Sequence, residues 1–271
     1  GLKGRCRGRP DDGVRATVDH LLVGLCFVVE HADLGLGQVF LGRGHNDAAV
    51  AAAWDAYPGW AEMPAERRAA LASRLGDVIA SRKYEFAAWQ TFEACKNWAE
   101  AEADVAEAID FCHYYAHQAL AMAAPVPVHE YPGEHNESWL QPIGAGAVIP
   151  PWNFPLAILA GMTIGPVAAG NTVVLKPAET TPLTALKLAE VIRDAGLPPG
   201  VVNIVTGAGE TGAALVSHPG VDKIAFTGST EVGRIIMKAL AGTSKKYTLE
   251  LGGKAANIIF ADAAIDQAVE G

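Results

Sequence analysis

The amino-acid sequence predicts an α/β fold with a doubly wound parallel sheet, preceded by helices and a hairpin arm. Two observations lead to this prediction. From residue 146 onward, short apolar segments alternate with helical ones, a pattern typical of βα units in a parallel sheet. Residues 45–124 are instead rich in Ala, Glu, Arg and Leu, with apolar residues recurring at steps of three and four, which favours helices.

The first 44 residues differ from the remainder of the chain. A basic, glycine-rich stretch, GLKGRCRGRPDDGVR, is followed by the apolar run LLVGLCFVV. A secretory signal has this order, but the sequence begins at Gly1 and no small-x-small cleavage site follows. An edge strand and a segment that is not the natural N-terminus are the other two interpretations, and we treat residues 1–44 as an atypical segment.

The elements after this segment can be placed in order. Residues 45–124 predict three or four helices, with turn signals at Pro58-Gly59 and at Pro64, and residues 126–148 predict a hairpin that turns at the Pro-Gly pair 132–133. Strands are then predicted at GAVI, NTVVL, VVNIV, KIAF, YTLEL and ANIIF, and helices at 156–168, 182–195, 210–217 and 230–241. Ligands of such sheets bind beyond the carboxyl ends of the strands, so the residues that follow each strand are the candidates for function.

Charge and cysteine content exclude several classes of protein. The net charge of −9 argues against binding to nucleic acid or to an acidic membrane surface. Residues 138–175 carry no charge, but five prolines in that stretch break any continuous membrane-spanning helix. The four cysteines, at positions 6, 26, 95 and 112, are sparse and unpatterned. They predict neither a disulfide framework nor a zinc site, and they fit the reducing cytoplasm.

The first of the strand ends reads PPWNFP, residues 150–155. Its prolines and aromatic residues hold Asn153 in a restricted backbone, and an asparagine amide carries two N–H donors. A fixed donor at a strand end is what an oxyanion hole requires. The alternative is a turn asparagine that bonds its own backbone, and the residues alone favour this alternative.

The second strand end, KPAE, places Lys176 and Glu179 where both could bond the ribose hydroxyls of a dinucleotide. A glutamate there would also repel a 2′-phosphate, which favours NAD over NADP. The alternative is a solvated ion pair ahead of a helix, and the residues do not separate the two interpretations.

The third and fourth strand ends are rich in glycine. In TGAGETG, Gly207, Gly209 and Gly212 match G-x-G-x-x-G between a strand and a helix. No acidic residue stands at the next strand end, so the match is weak and could mark only a tight turn with close helix packing. In TGSTEVG, Gly228 permits close backbone approach and Ser229 begins a helix. That turn suits a pyrophosphate and, compatibly, a serine N-cap.

The fifth strand end, LELGGK, places an acidic residue among apolar ones. Glu250 lies between Leu249 and Leu251, where desolvation would raise the pKa of its carboxyl group toward the range of a general base. The alternative is an edge glutamate paired to Lys254. If Glu250 is a general base, the reaction also requires a nucleophile elsewhere.

Together, PWNFP, VVLKPAE, FTGSTEVG and LELGGK resemble the aldehyde dehydrogenase superfamily in their order and spacing, over residues 46–271. The resemblance implies a Rossmann-like dinucleotide-binding domain at 45–253, with the hairpin arm near 126–148, and the start of a catalytic domain at 254–271. It also implies NAD(P)-dependent oxidation of an aldehyde to a carboxylic acid. In that reaction a cysteine attacks the aldehyde, hydride passes to the nicotinamide, and water activated by a glutamate releases the acid.

The resemblance also implies roles for individual residues. Asn153 becomes the oxyanion donor and Glu250 the general base, while Lys176 and Glu179 hold the adenosine ribose. The residues placed around the cofactor are Ile149, Pro150, Trp152, Gly209, Gly212, Phe226, Gly228, Ser229, Val232 and Leu251. In this family the phosphate contacts come chiefly from the GSTEVG turn. The G-x-G-x-x-G match at residues 207–212 is therefore partly misleading as a phosphate-binding motif. The implied cofactor is NAD, with NADP less favoured, and no metal is implied.

The nucleophile that this glutamate would serve lies outside the sequence. The resemblance places the family's cysteine beyond Gly271, and none of the four cysteines present can replace it by position. Cys95 stands where relatives carry glycine, and Cys112 is interpreted as a core residue. His113 and His117 share a helix face, but the pattern offers no third ligand and predicts no metal site.

Three hypotheses about function follow from the resemblance. The segments FEACKNWAEAEADVAEAIDFCHYYAHQ and NFPLAILAGMTIGPVAAGNTVVLKPAETTPL look like the 1-pyrroline-5-carboxylate dehydrogenases of proline breakdown, which oxidise L-glutamate γ-semialdehyde, whereas AGTSKKYTLELGGKAANIIFADAAIDQAVEG looks like general aldehyde dehydrogenases. The first hypothesis is therefore an NAD-dependent oxidoreductase. The others are a cofactor-binding module without catalysis and an assembly piece whose hairpin resembles the family's oligomerisation arm. The full-length form is expected to be a cytoplasmic homo-oligomer without nucleic-acid or membrane partners.

Overall fold

The computed structural model describes residues 39–40 and 45–270. The interpretations of the basic stretch and of LLVGLCFVV therefore lie outside the described residues. The helices are α1 Asn46–Ala61, α2 Ala65–Ser81, α3 Lys83–Ala94, α4 Trp98–Ala123, α5 Ala157–Ala168, α6 Pro182–Asp194, α7 Gly209–Ser217, α8 Thr230–Leu240 and α9 Ile265–Glu270. The strands are β1 Val39–Phe40, β2 Val126–Pro127, β3 Glu137–Ser138, β4 Ala145–Ile149, β5 Thr172–Leu175, β6 Val202–Val205, β7 Lys223–Gly228 and β8 Lys246–Leu251.

Six of the strands form one parallel sheet in the order β1-β6-β5-β4-β7-β8. The chain moves outward from β4 to β5 and β6, returns across the sheet, and continues on the other side of β4 with β7 and β8. This reversal makes the junction of β4 and β7 the topological switch point, where such sheets bind their ligands. The predicted doubly wound parallel sheet is confirmed.

Alternate residues of the central strands point to opposite faces of the sheet and into separate hydrophobic clusters. Ala147 and Ile149 of β4 pack with buried residues of α1, α7 and α8. Val148, between them, packs with buried residues of α2 to α6 on the other face. Because both faces are covered, every residue of β5 and β6 is buried, as expected for a doubly wound sheet.

The corner between α3 and α4 contains a residue with an unusual backbone conformation. Cys95 ends α3 with a φ of 55°, in the left-handed region that glycine adopts without strain. This conformation accounts for the glycine that the family resemblance implies at this position. Helix α4 then packs closely on α5, since a Cβ on Gly161 would lie 2.8 Å from Cδ2 of Phe111.

Several predicted elements need correction. ANIIF, residues 256–260, is not a strand, and its apolar side chains are exposed, with Ile258 at 73% and Phe260 at 71%. In the described part of the chain, this segment therefore has neither a strand partner nor a core to pack on. The hairpin is confined to β2 and β3, which pair antiparallel, and the chain joins the main sheet from Ala145. Helix α9 is an element that the sequence did not predict.

Candidate active site

The carboxyl ends of β4, β5, β7 and β8 lie side by side at one edge of the sheet. The register pairs Ile149 with Phe226 and Thr227 with Glu250. The N–H of Lys176, just past β5, donates to the carbonyl of Val148 in β4 at 2.9 Å. Strand ends that are far apart in the sequence are therefore neighbours in space.

Lys176 is buried at the end of β5, with its side chain only 5% exposed, whereas that of Glu179 is 60% exposed. The lysine Nζ donates to the Pro177 carbonyl at 2.9 Å and lies 3.5 Å from the Glu179 carboxylate. Burial lowers the pKa of Lys176, and the charges of Glu179 and Glu210 oppose that change. The interpretation as a solvated ion pair is wrong for the lysine, because its ammonium group is desolvated and only the glutamate faces solvent.

The glycine-rich turn after β6 combines a tight turn with close helix packing. A Cβ on Gly207 would lie 2.1 Å from Oγ1 of Thr211, so the turn requires glycine there. A Cβ on Gly212 would be in ordinary contact with Cδ of Lys176, at 3.6 Å, which places the first turn of α7 against the lysine. Gly209 begins α7 and has no atom within 4 Å of its Cβ position, which leaves open space beside the turn.

Helix α8 begins at the switch point and presents its N-terminus to the same edge. Ser229 is its N-cap, since the serine Oγ accepts the N–H of Val232 at 3.2 Å. The serine hydroxyl keeps its own proton to donate, and the first N–H groups of a helix have no acceptor within the helix. Gly228 allows the turn to fold tightly, because a Cβ there would lie 2.6 Å from Cζ of Phe226. The predicted serine N-cap is confirmed, and it leaves donors for an anion.

Asn153 lies in the loop that follows β4, and the residue is exposed. The loop borders a cleft of about 400 Å³ that it shares with the α3–α4 corner, lined among others by Cys95, Lys96, Asp104, Glu107, Trp152 and Phe154. Within the described residues, no hydrogen bond joins the Asn153 side chain to its own backbone, which goes against the turn-asparagine interpretation. The amide therefore remains available to a small carbonyl compound in the cleft.

Glu250 is exposed, and its predicted desolvation is wrong for the described part of the chain. The reason is its place in the sheet, because β8 is an edge strand whose residues are exposed or half-buried. No ion pair joins Glu250 to Lys254 among the described residues, so the paired-edge alternative is not supported either. The end of β8 is nevertheless held against α8, since Oγ1 of Thr230 donates to the Gly252 carbonyl at 3.2 Å and Gly233 leaves room for the Leu251 side chain.

The remaining predicted cofactor residues form a buried floor and an exposed rim at this edge. Those in the floor are Ile149, Pro150, Gly212 and Phe226, while Trp152 and Val232 are exposed and Leu251 is half-buried.

Other candidates from the sequence lie away from this edge. Cys112 is buried, and burial raises the pKa of its thiol to about 12, which confirms it as a core residue. His113 bonds Oγ of Ser73 through Nδ1 at 3.0 Å and lies 3.6 Å from Asp77, a contact between α2 and α4 that the sequence did not reveal. The described residues contain no group of His, Cys, Asp or Glu placed to hold a metal ion. Among the described helices, none combines the length and the apolar composition that spanning a bilayer requires.

The residues at the sheet edge fit a bound dinucleotide. The N-terminus of α8, with the Ser229 hydroxyl, offers donors for a pyrophosphate. The Lys176 ammonium is a hydrogen-bond donor and the Glu179 carboxylate is an acceptor, as binding of hydroxyl groups requires, and the open space at Gly209 gives room beside the turn. A doubly wound sheet with these groups at the carboxyl ends of its strands is the arrangement of a dinucleotide-binding α/β protein.

Comparison with known proteins assigns the family within that class. Residues 41–271 match the Aldehyde dehydrogenase family, and the chain belongs to it. The 1-pyrroline-5-carboxylate dehydrogenase 2 of Halalkalibacterium halodurans is 41% identical over 266 residues, which cover 96% of this chain and 52% of that protein. The resemblance recognised in the sequence motifs is confirmed.

Solved structures give the same result. A mutant of Thermus thermophilus 1-pyrroline-5-carboxylate dehydrogenase is 49% identical, with a TM-score of 0.77 over 79% of this chain and 43% of that chain. A 1-pyrroline-5-carboxylate dehydrogenase from Thermus with bound NAD is 38% identical, with a TM-score of 0.77 over 92% of this chain and 55% of that chain. The chain spans about half of the length of the curated relatives it matches.

Proposed function

We propose that the protein containing this chain oxidises an aldehyde to a carboxylic acid, with NAD as the hydride acceptor. The observation that carries the proposal is the placement of three groups along one sheet edge: the Asn153 amide after β4, the Lys176 ammonium after β5 and the Glu250 carboxylate in β8. Membership of the Aldehyde dehydrogenase family and the NAD-bound Thermus relative support it.

The Asn153 amide and the Glu250 carboxylate each have a defined role in the proposed reaction. The Asn153 amide donates a hydrogen bond to the aldehyde oxygen as negative charge develops there, in the cleft that its loop borders. The Glu250 carboxylate takes a proton from the water that releases the acid, and its exposure gives water access to it. NAD, when bound, accepts the hydride. A cysteine outside this sequence supplies the nucleophile.

The proposed substrate is L-glutamate γ-semialdehyde, which would place the protein in proline breakdown. The support is that the relatives reported above are named 1-pyrroline-5-carboxylate dehydrogenases. The second candidate is a general aldehyde dehydrogenase, favoured by the resemblance of residues 241–271 to that group.

The test is NADH formation by the full-length protein with L-glutamate γ-semialdehyde and with simple aliphatic aldehydes. The proposal expects the highest kcat/KM for the semialdehyde, and Asn153→Ala to lower kcat roughly a hundredfold with unchanged NAD affinity. Equal turnover of all the aldehydes favours the general enzyme. NAD binding without turnover of any aldehyde would support the hypothesis of a cofactor-binding module without catalysis.

The preference for NAD over NADP rests on Glu179, whose exposed carboxylate can turn toward the cofactor. Calorimetry of this chain should give a lower Kd for NAD than for NADP. Glu179→Gln should bring the two Kd values closer together. Equal affinities in the unaltered chain would refute the preference.

We also propose that the full-length form is a cytoplasmic homo-oligomer. The four cysteines are sparse and unpatterned, which supports a location in the reducing cytoplasm. The hairpin arm and the segment after it expose large apolar side chains, among them Val126, Tyr131, Trp139 and Leu140, which supports docking onto a second copy. Light scattering that gives a monomer mass at all concentrations would refute the oligomer.

A further inference from the structure

Helix α5, which follows the Asn153 loop, begins without a capping side chain of its own. The residue before its first turn is Leu156, which makes no side-chain cap. The first N–H groups of a helix need acceptors from elsewhere, and burial makes that need stricter. The acceptor comes from α4, where Oδ1 of Asp104 accepts the N–H of Ala157 at 2.6 Å.

The Asp104 carboxylate is buried between two partners. Its side chain is 0% exposed, and its other oxygen forms an ion pair with Lys96. Burial raises the pKa of Asp104, while Lys96 and the N–H groups of Leu156 and Ala157 oppose that rise. A buried charge of this kind is tolerated when an ion-pair partner and hydrogen bonds satisfy it together.

Lys96 connects this buried carboxylate to the loop itself. Its Nζ lies 4.5 Å from the centroid of the Phe154 ring, within the range of a cation–π contact. Phe154 is the residue after Asn153. The loop is therefore tied to the α3–α4 corner at two points, through the Phe154 ring and through the N–H of Ala157.

We propose that Lys96 and Asp104 are positioning residues that fix the Asn153 amide in the cleft. The two contacts lie just after Asn153, and the prolines at 150, 151 and 155 limit the backbone between strand and helix. The catalytic consequence rests on the proposed function, whereas the restraint on the loop does not.

Hydrogen exchange of this chain tests the restraint without any enzyme activity. Lys96→Met removes the cation from the buried pair. Lys83→Met is the matched control, because Lys83 of α3 forms an ion pair with Glu102 of α4 at 2.6 Å, but the two side chains are 36% and 41% exposed. We expect amide exchange across residues 152–160 to rise about tenfold in Lys96→Met and to stay unchanged in Lys83→Met and in Lys96→Arg. Equal exchange in Lys96→Met and Lys83→Met overturns the proposal.

A second variant decides the matter if Lys96→Met does not fold. Phe154→Leu removes the aromatic ring that contacts Lys96. Phe154 is 41% exposed, so the fold should tolerate the substitution. We expect faster exchange confined to residues 152–157, with the rest of the chain unchanged. Unchanged exchange in this segment overturns the proposal.

Kinetics of the full-length protein test the consequence for catalysis. Lys96→Met should lower kcat about tenfold to a hundredfold, leave the KM for NAD unchanged, and be rescued by Lys96→Arg, because displacement of a donor slows the reaction without altering cofactor binding. A loosened loop with unchanged kcat overturns the role assigned to the pair. If the unaltered protein oxidises no aldehyde, the proposed function fails, and the exchange experiment still decides whether the restraint exists.

Discussion

The ammonium group of Lys176 lies 3.5 Å from the carboxylate of Glu179, yet the lysine is buried and the glutamate faces solvent. This asymmetry gives the two residues different freedom at the end of β5. The lysine is held by the Pro177 carbonyl, while the glutamate can turn toward a ligand without leaving water. A buried ammonium carries a desolvation cost, so its presence at the sheet edge is explained by ligand binding better than by stability.

Replacing Lys176 by Met should weaken NAD binding while stabilising the unliganded chain at neutral pH. Burial lowers the pKa of this lysine, so the folded state holds its charged form less favourably than the unfolded state does. An apolar side chain of similar length avoids that cost. Calorimetry of NAD binding and urea unfolding measure the two effects. Lys187→Met is the control and should leave NAD binding unchanged, because Lys187 pairs with Glu190 on α6. Unchanged NAD affinity in Lys176→Met would contradict the prediction.

Glu93→Ala should destabilise the chain by about 1–2 kcal/mol, as loss of a helix cap does. Glu93 belongs to α3 but caps α6. Its carboxylate accepts the N–H of Leu183 at 2.5 Å and both the N–H and the hydroxyl of Thr184, at 3.0 and 2.6 Å. Urea unfolding measures the loss. A change below about 0.5 kcal/mol would show that water replaces the carboxylate at this helix end.

The stability that Glu93 confers should increase as the pH falls from neutral toward its ordinary pKa of 4.5. Burial raises the pKa of Glu93 in the folded state, so between 4.5 and the raised value the folded state binds the extra proton. Protonation in that window therefore favours folding. Unfolding of the unaltered chain and of Glu93→Gln at matched pH values isolates the effect. A difference between them that is flat with pH would contradict it.

Gly233→Ala should destabilise the chain by about 1–3 kcal/mol and weaken NAD binding, because the new methyl group would overlap the Leu251 side chain and so displace that side chain or α8. The same helix carries Ser229 at its N-terminus. Gly59→Ala in α1 is the control, since nothing lies within 4 Å of its Cβ position. That control should be neutral or stabilising by about 0.5–1 kcal/mol. Equal stability changes in the two variants would rule out the steric explanation.

Cys95→Gly should be more stable than Cys95→Ala by about 1 kcal/mol, because only glycine adopts the left-handed conformation at the α3–α4 corner without strain. Both variants lack the thiol, so their difference isolates the backbone. Thermal unfolding of the two measures it. A more stable alanine variant would mean that the corner relaxes out of the left-handed region.

Local patterns in the sequence predicted most of the architecture, and their success has a physical basis. The short strands β4 to β6 are largely apolar because both faces of the sheet are covered there, and turn residues separate them from the helices, so this alternation is visible in the residues themselves. The N-cap at Ser229 was equally local. Glu250 shows the limit of such reasoning: its leucine neighbours suggested burial, but exposure is decided by which strand lies alongside, and β8 is at the edge.

The contacts that hold the site in place could not be predicted in the same way. Asp104 and Ala157 are 53 residues apart, and Glu93 and Leu183 are 90 apart. In the first case a carboxylate of α4 caps α5, and in the second a carboxylate of α3 caps α6. No periodicity encodes such a pairing, because it depends on how α3 and α4 pack against α6 and α5 in the folded protein.

The order of the strands also sets the sequence of events in folding. Ala147 of β4 pairs with Val174 of β5, which is nearby in the chain, and with Ile224 of β7, which is much further along. Because closing a longer loop costs more entropy, we expect residues 145–205 to gain protection before residues 223–251 in pulse-labelled refolding. The edge that would hold the dinucleotide needs both halves. It would then be among the last surfaces of the nascent protein to mature, and recovery of NAD binding would mark the end of refolding.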